Sequence, residues 1–153
     1  MRTMDRSDQE RYMALALALS RQALPDCLPN PPVGCVLERN DSVIASGFTQ
    51  APGNHHAEAA ALAEIADASS ADISVFVTLE PCAFQGRTPS CAKALVERGI
   101  RSVFVAMRDP DPRNNGKGLA LLKEAGIVVY ENILAGQVSQ FLTPYLLNIK
   151  NNH

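Results

Sequence analysis

Tryptophan is absent from the 153 residues, and aromatic residues together make up only 5%. Proteins that track single-stranded nucleic acid stack bases on such rings, so that chemistry has little to draw on here. Basic residues are not in surplus either: 14 Lys and Arg face 16 Asp and Glu, a formal charge of −2. A nucleic-acid partner is therefore not expected. No internal repeat, charge block or low-complexity linker interrupts the chain, and no apolar run is long enough to span a bilayer. A membrane partner is not expected.

The apolar run Met13–Leu19 has the look of a signal-peptide core, but Asp5, Asp8 and Glu10 precede it where a signal peptide is positively charged. A cytoplasmic location follows as the expectation. Cys27, Cys35, Cys82 and Cys91 could form two disulfides in an oxidising compartment. In the cytoplasm they stay reduced. The length fits one domain over residues 1–153, and an apolar share of 46% supports a real core.

Asp8–Leu24 holds no Gly or Pro and is apolar nearly all round, which predicts a helix packed on more than one side. Pro25 and the run Pro29-Asn30-Pro31-Pro32 end it in a loop. Val33–Glu38 and Val43–Thr49, joined by Arg39-Asn40-Asp41-Ser42, read as a β-hairpin. Helices are expected over His55–Ala68, Pro89–Arg98 and Gly118–Ala125, and strands over Ser74–Leu79, Arg101–Met107 and Ile127–Tyr130. A last helix, Gln137–Ile149, is expected to be interrupted or kinked at Pro144. The late helix–strand alternation implies parallel pairing and the hairpin antiparallel pairing. The fold class is α/β, a mixed sheet of about five strands with helices on both faces, and functional groups belong at its strand ends.

His56-Ala57-Glu58 falls at a predicted helix start, Pro81-Cys82 follows a predicted strand, and Cys91 lies near the start of the next helix. One imidazole and two thiolates suit Zn²⁺, and three protein ligands leave a fourth position for water, as in catalytic zinc sites. A structural zinc would want a fourth protein ligand, for which His55 is the nearby candidate. The partial positive charge of helix N-termini would favour the thiolate form. Glu58 is two residues from His56, so on a helix it points away from a shared ligand face. It can then act as proton shuttle for a water whose pKa zinc lowers to about 7. Taken singly, these residues read as a helix cap, a solvated glutamate and two core cysteines. In this order they match the His-x-Glu, Pro-Cys and second-Cys pattern of zinc deaminases. Cys27 and Cys35 are expected to be structural.

Six segments carry a family resemblance: Asn30-Pro-Pro-Val-Gly34, His56-Ala-Glu-Ala-Ala-Ala-Leu62, Thr78-Leu-Glu-Pro-Cys82, Gly86-Arg-Thr-Pro-Ser-Cys91, Arg108-Asp-Pro-Asp-Pro112 and Gly116-Lys-Gly118. The chain resembles the deaminase half of the bacterial riboflavin-pathway deaminase–reductase, which shares the wide Cys-x8-Cys spacing. Cytidine deaminases and nucleic-acid-editing deaminases use Cys-x-x-Cys instead. The resemblance implies a three-layer α/β/α fold, a zinc ion held by His56, Cys82 and Cys91, and Glu58 as catalytic proton shuttle. It further implies a homo-oligomer, dimer or tetramer, and a small-molecule substrate, an aminopyrimidinone ribosyl phosphate. Asn30, Thr49 and Ala57 fall at substrate-facing positions of that pattern. Arg87 and the loop Asp109–Lys117, with Asp109 and Asp111, would lie near the ribose phosphate.

The departures from the pattern fall on the substrate side. Thr49 stands where the family commonly has histidine, Ala83-Phe84-Gln85 replaces Ser-His-His or Ser-His-Tyr, and Asp111 replaces asparagine. Asp111 puts a negative charge beside a phosphate neighbour, which Arg113 could offset. Two readings follow. One is a riboflavin-pathway deaminase without its reductase domain. The other is the same chemistry on a different aminopyrimidine or purine-like metabolite. An inactive binding module would have lost a ligand or Glu58, and none is lost.

Overall fold

In the computed structural model, which describes residues 4–65, 71–84 and 90–149, the first helix begins where a capping residue appears. The carboxylate of Asp5 accepts the Asp8 N–H at 2.8 Å and opens α1 (Arg6–Gln22). α1 is apolar nearly all round in sequence but buries one stripe, Tyr12, Met13, Ala16, Leu17 and Ser20. Ala14, Leu15 and Ala18 face outward, which corrects the expectation of a helix packed on more than one side. Alanine is the strongest helix former and exposes little apolar area, so its presence does not report burial.

β1 (Gly34–Arg39) and β2 (Ser42–Phe48) form the expected hairpin. Its turn residues Asn40 and Asp41 both take positive φ, 50° and 64°, a conformation that these short polar side chains tolerate well. Tyr12 Oη donates to Asp41 Oδ1 at 2.6 Å and ties α1 to the turn. α2 (Ala57–Ala63) is shorter than expected at both ends, with residues 66–68 outside the described part. It crosses β2 so closely that a Cβ on Gly47 would lie 2.6 Å from the Ala57 carbonyl oxygen.

The remaining elements alternate: β3 (Ser74–Leu79), α3 (Cys91–Arg98), β4 (Ser102–Met107), α4 (Lys117–Glu124), β5 (Val128–Tyr130) and α5 (Ala135–Ile149). The sheet order is β2-β1-β3-β4-β5, with β2, β1 and β3 antiparallel in turn and β3, β4 and β5 parallel. α2, α3 and α4 share one face. α1 and α5 meet on the other, where the Arg21 guanidinium lies 4.8 Å from the Phe141 ring centre. Phe76, Phe104 and Tyr130 stack across β3, β4 and β5 in register, at centroid spacings of 4.4 and 4.5 Å. α5 runs through Pro144 as one helix, so the expected interruption is absent; proline removes one hydrogen bond, and burial of Val138, Leu142 and Leu146 outweighs it. No described helix is long and apolar enough to cross a membrane.

This topology brings the start of β1 beside the end of β3, where the Gly34 N–H donates to Thr78 Oγ1 at 3.2 Å. The segments leaving β3 and β4 emerge at that same end. All the candidate residues that the structure draws together lie there.

Candidate metal centre

His56 closes the loop before α2 as its N-cap residue, in extended conformation (φ −73°, ψ 171°) with no side-chain capping bond. Because it stands outside the helix, its imidazole is not bound to the face Glu58 leaves, and the helical-angle expectation for this pair does not apply. Glu58 lies in the first turn of α2 and is 4% exposed. Cys82 follows β3, and Cys91 is the first residue of α3.

The donor atoms of His56, Cys82 and Cys91 all lie within 4.8 Å of one another. Cys91 Sγ is 3.4 Å from His56 Nδ1. Tetrahedral zinc, with Zn–S of about 2.3 Å and Zn–N of about 2.0 Å, sets its ligand atoms roughly 3.5–3.8 Å apart. The triad thus fits zinc in both donor type and spacing. Among the described residues it is the one such group, and exposed His55 is not part of it. All four cysteines are free.

The charge is unevenly shared between the thiols. Cys82 is pulled down to about 4, first by a hydrogen bond from Cys91 and then by His56. The Cys91 main-chain N–H also donates to Cys82 Sγ at 3.3 Å. Cys91 is pushed well above its ordinary value by that same pairing and by burial. The start of α3 therefore favours a thiolate on Cys82, because the Cys91 N–H in its first turn points at that sulfur. His56 is raised by its bond to Cys82. Burial, then the negative charge of Cys82, lifts Glu58 to about 7. Such a carboxyl exchanges protons near neutral pH. Cys35, fully buried in β1, is pushed up by burial and by the nearby Glu58 charge.

The loop after β4 is held against the Cys82 segment by two buried side chains that sequence reading did not single out. Glu80, 3% exposed, accepts the N–H groups of Asp109 (3.0 Å), Gly116 (3.1 Å) and Leu119 (3.1 Å). Asn114, fully buried, accepts the Ala83 N–H at 2.9 Å and donates to the Pro81 carbonyl at 3.3 Å. The one available signal was a glutamate directly after a buried strand, in Thr78-Leu-Glu-Pro-Cys82. Gly118 packs so tightly that an added Cβ would lie 1.8 Å from the Pro81 oxygen.

The substrate-side candidates are less concentrated. Asp109 accepts from the Asp111 N–H and from Asn114, so its carboxylate is engaged within its own loop. Asp111 is paired with Arg113 at 2.6 Å, the offset foreseen for its charge, and the Arg113 guanidinium lies 4.9 Å from the Phe84 ring centre. Buried Thr49 accepts the Val33 N–H and donates to the Pro31 carbonyl, both at 3.0 Å. With Gln22, Asp26, Gln50 and Asn54 it also lines a recess of about 350 Å³ whose wall contains none of the triad. Asn30 is half-buried, and its main-chain N–H donates to Cys27. Ala57 is buried at the start of α2. Arg87 and Gln85 lie outside the described residues.

Comparison with known proteins agrees with this geometry. Residues 6–107 match the cytidine and deoxycytidylate deaminase zinc-binding region. Riboflavin biosynthesis protein RibD of Haemophilus influenzae is 41% identical over 139 residues, 91% of this chain and 37% of that protein. Acinetobacter baumannii RibD (form 2) superposes with a TM-score of 0.89 at 38% identity, covering 94% of this chain and 40% of that one. A Thermotoga maritima diaminohydroxyphosphoribosylaminopyrimidine deaminase and 5-amino-6-(5-phosphoribosylamino)uracil reductase superposes with a TM-score of 0.87 at 32% identity, covering 96% and 42%. The chain spans about two fifths of the length of these relatives. The convergent His56, Cys82 and Cys91 and the match over residues 6–107 together place the chain in the zinc-binding cytidine and deoxycytidylate deaminase family.

Proposed function

We propose that the chain is a hydrolytic deaminase that replaces an exocyclic amine of an aminopyrimidinone ribosyl phosphate with a carbonyl oxygen, in riboflavin biosynthesis. The observation that carries this reading is Glu58, a buried carboxyl held near 7 directly beside the His56, Cys82 and Cys91 triad. His56, Cys82 and Cys91 hold zinc, which supplies Lewis acidity. Glu58 takes a proton as water adds to the amine-bearing ring carbon and delivers it to the ring nitrogen. It carries a second proton to the departing amine, so one water is consumed and one ammonia released. Burial serves this role twice, by raising the Glu58 pKa and by keeping bulk water from the shuttled proton.

The similarity to the Haemophilus influenzae and Thermotoga maritima proteins supports the riboflavin substrate over other pyrimidines. Arg113, by pairing with Asp111, keeps the loop from presenting an unbalanced negative charge to a phosphate. Asn30 and Arg87 are the residues assigned to the substrate's polar groups, and the reductase step falls to a separate chain or segment. Self-association and a cytoplasmic setting complete the reading.

Thr49 favours a second reading on one point. Its hydroxyl is committed to Val33 and Pro31, where the family pattern commonly has histidine. A different aminopyrimidine or purine-like substrate would account for that change. The test is ammonia release from the diaminopyrimidinone ribosyl phosphate by the zinc-loaded chain, with Glu58→Ala as control. Release that vanishes in the variant is the expected result. A zinc-loaded chain that leaves this substrate intact overturns the riboflavin assignment.

A further inference from the structure

Cys82 has no secondary structure to hold it: it stands three residues beyond β3 and nine before Cys91. Yet its sulfur lies within 4.8 Å of the donor atoms of His56 and Cys91, which stand on other segments. Its own carbonyl is tied to the start of α3, accepting from Ser90 Oγ at 2.7 Å and from the Ala92 N–H at 3.0 Å. The peptides on either side are held from elsewhere. Asn114 accepts from the Ala83 N–H and donates to the Pro81 carbonyl, bracketing Cys82 with one side chain. The donor at Ala83 requires the amide oxygen there and leaves the amide nitrogen for its two acceptors, Pro81 and Asp109. Glu80 then closes the loop that carries Asn114, taking an N–H from its first residue, from its last, and from the first turn of α4.

We propose that Asn114 and Glu80 are positioning residues of the metal centre: a buried clasp through which the loop 109–116 presets the Cys82 sulfur. The inference rests on the zinc-deaminase reading but concerns metal geometry, not substrate. Every donor and acceptor of the clasp is matched, and both side chains are almost fully buried, so it has little room to relax. Partners of this outer kind fix the orientation of metal-binding side chains and weaken metal affinity or activity about 10- to 100-fold when lost. Asn114 lies outside the matched deaminase region, and the clasp extends the working part of the fold beyond it.

The test compares the full-length chain with Asn114→Ala and Glu80→Gln. Leu142→Ala, a buried α5 residue remote from the loop, serves as a control of comparable destabilisation. Zinc affinity is measured against a competing chelator, and Co²⁺ loading reads the thiolate–metal charge-transfer band. Asn114→Ala should weaken zinc binding about 10- to 100-fold, shift the cobalt band and lower kcat with KM unchanged. Glu80→Gln keeps its volume but turns an acceptor into a donor facing N–H groups. It should move the same readouts in the same direction, and it carries the test if Asn114→Ala does not fold. Leu142→Ala should lower the melting temperature and leave affinity and spectrum as in the parent. Clasp variants that behave like Leu142→Ala would overturn the proposal, as would a rise in KM alone. A parent chain that binds zinc but releases no ammonia from the diaminopyrimidinone ribosyl phosphate would instead count against the riboflavin assignment and leave the clasp standing.

Discussion

The main-chain N–H of Cys91 points at the sulfur of Cys82, 3.3 Å away, so one member of the triad prepares the charge of another. The Cys91 thiol adds a second hydrogen bond to the same sulfur. These hydrogen bonds draw Cys82 toward the thiolate and hold the proton on Cys91, while burial raises the neighbouring Glu58 carboxyl. This asymmetry has consequences for metal uptake, catalysis and stability.

Zinc binding should release protons in a definite number. Cys82 is already ionised at pH 7.5, whereas Cys91, pushed well above its ordinary value, must lose its proton to bind. A nearby dication also displaces what proton remains on Glu58 and on His56. Calorimetry in buffers of different ionisation enthalpy should therefore give at least one proton per zinc, on the order of one to two in all. A value near zero would mean that Cys91 is not a ligand.

Glu58→Gln should retain zinc and lose about 10²- to 10⁴-fold in kcat. Its effect on the metal-free fold has the opposite sign. The Glu58 pKa is raised to about 7 from an ordinary 4.5, so the folded state binds more protons between those values. Its contribution to stability then falls as pH rises from about 4.5 through about 7. The metal-free variant escapes this penalty, so its melting temperature relative to the parent should rise between pH 4.5 and pH 8. A difference that stays constant with pH would place the raised pKa elsewhere.

Gly118→Ala tests how tightly α4 sits on the Cys82 segment. In an open helix the change would gain about 0.8–1 kcal/mol from propensity. Here the new methyl would meet the Pro81 oxygen at 1.8 Å, so the backbone must move. Overpacking of this kind costs about 1–3 kcal/mol or more. The melting temperature should fall, and zinc affinity should fall with it. A stabilised variant would contradict the packing described.

Thr49→Val removes the partner of the buried Val33 N–H and should cost about 1–3 kcal/mol, measured by denaturant unfolding. Thr49→Ser keeps both hydrogen bonds and should cost clearly less. Equal losses would show that the methyl group, not the hydroxyl, is what the site requires.

Much of this architecture was legible because it rests on local rules. Asn40 and Asp41 tolerate positive φ, so the hairpin turn could be read directly. Ser74–Leu79 is rich in apolar residues and buried at every position because a central strand is covered on both faces, and its bounds were recovered without error. The length of α2 and the sidedness of α1 were not legible, since alanine carries almost no signal of which face is buried.

By itself the sequence determined the chemistry available to this protein: one imidazole, two thiols and a glutamate, in an order and type suited to zinc and proton transfer. These are properties of side-chain composition and spacing, and they survive without coordinates. Only the tertiary structure decided how those groups are tuned. It aimed the Cys91 N–H at the Cys82 sulfur, spent the Thr49 hydroxyl on Val33 and Pro31, and turned Glu80 and Asn114 into a clasp on the metal loop. The reason is physical. Hydrogen bonds and burial depend on which distant segments meet, and Asn114 lies 31 residues from the Ala83 N–H it accepts. No local pattern encodes a partner that far along the chain.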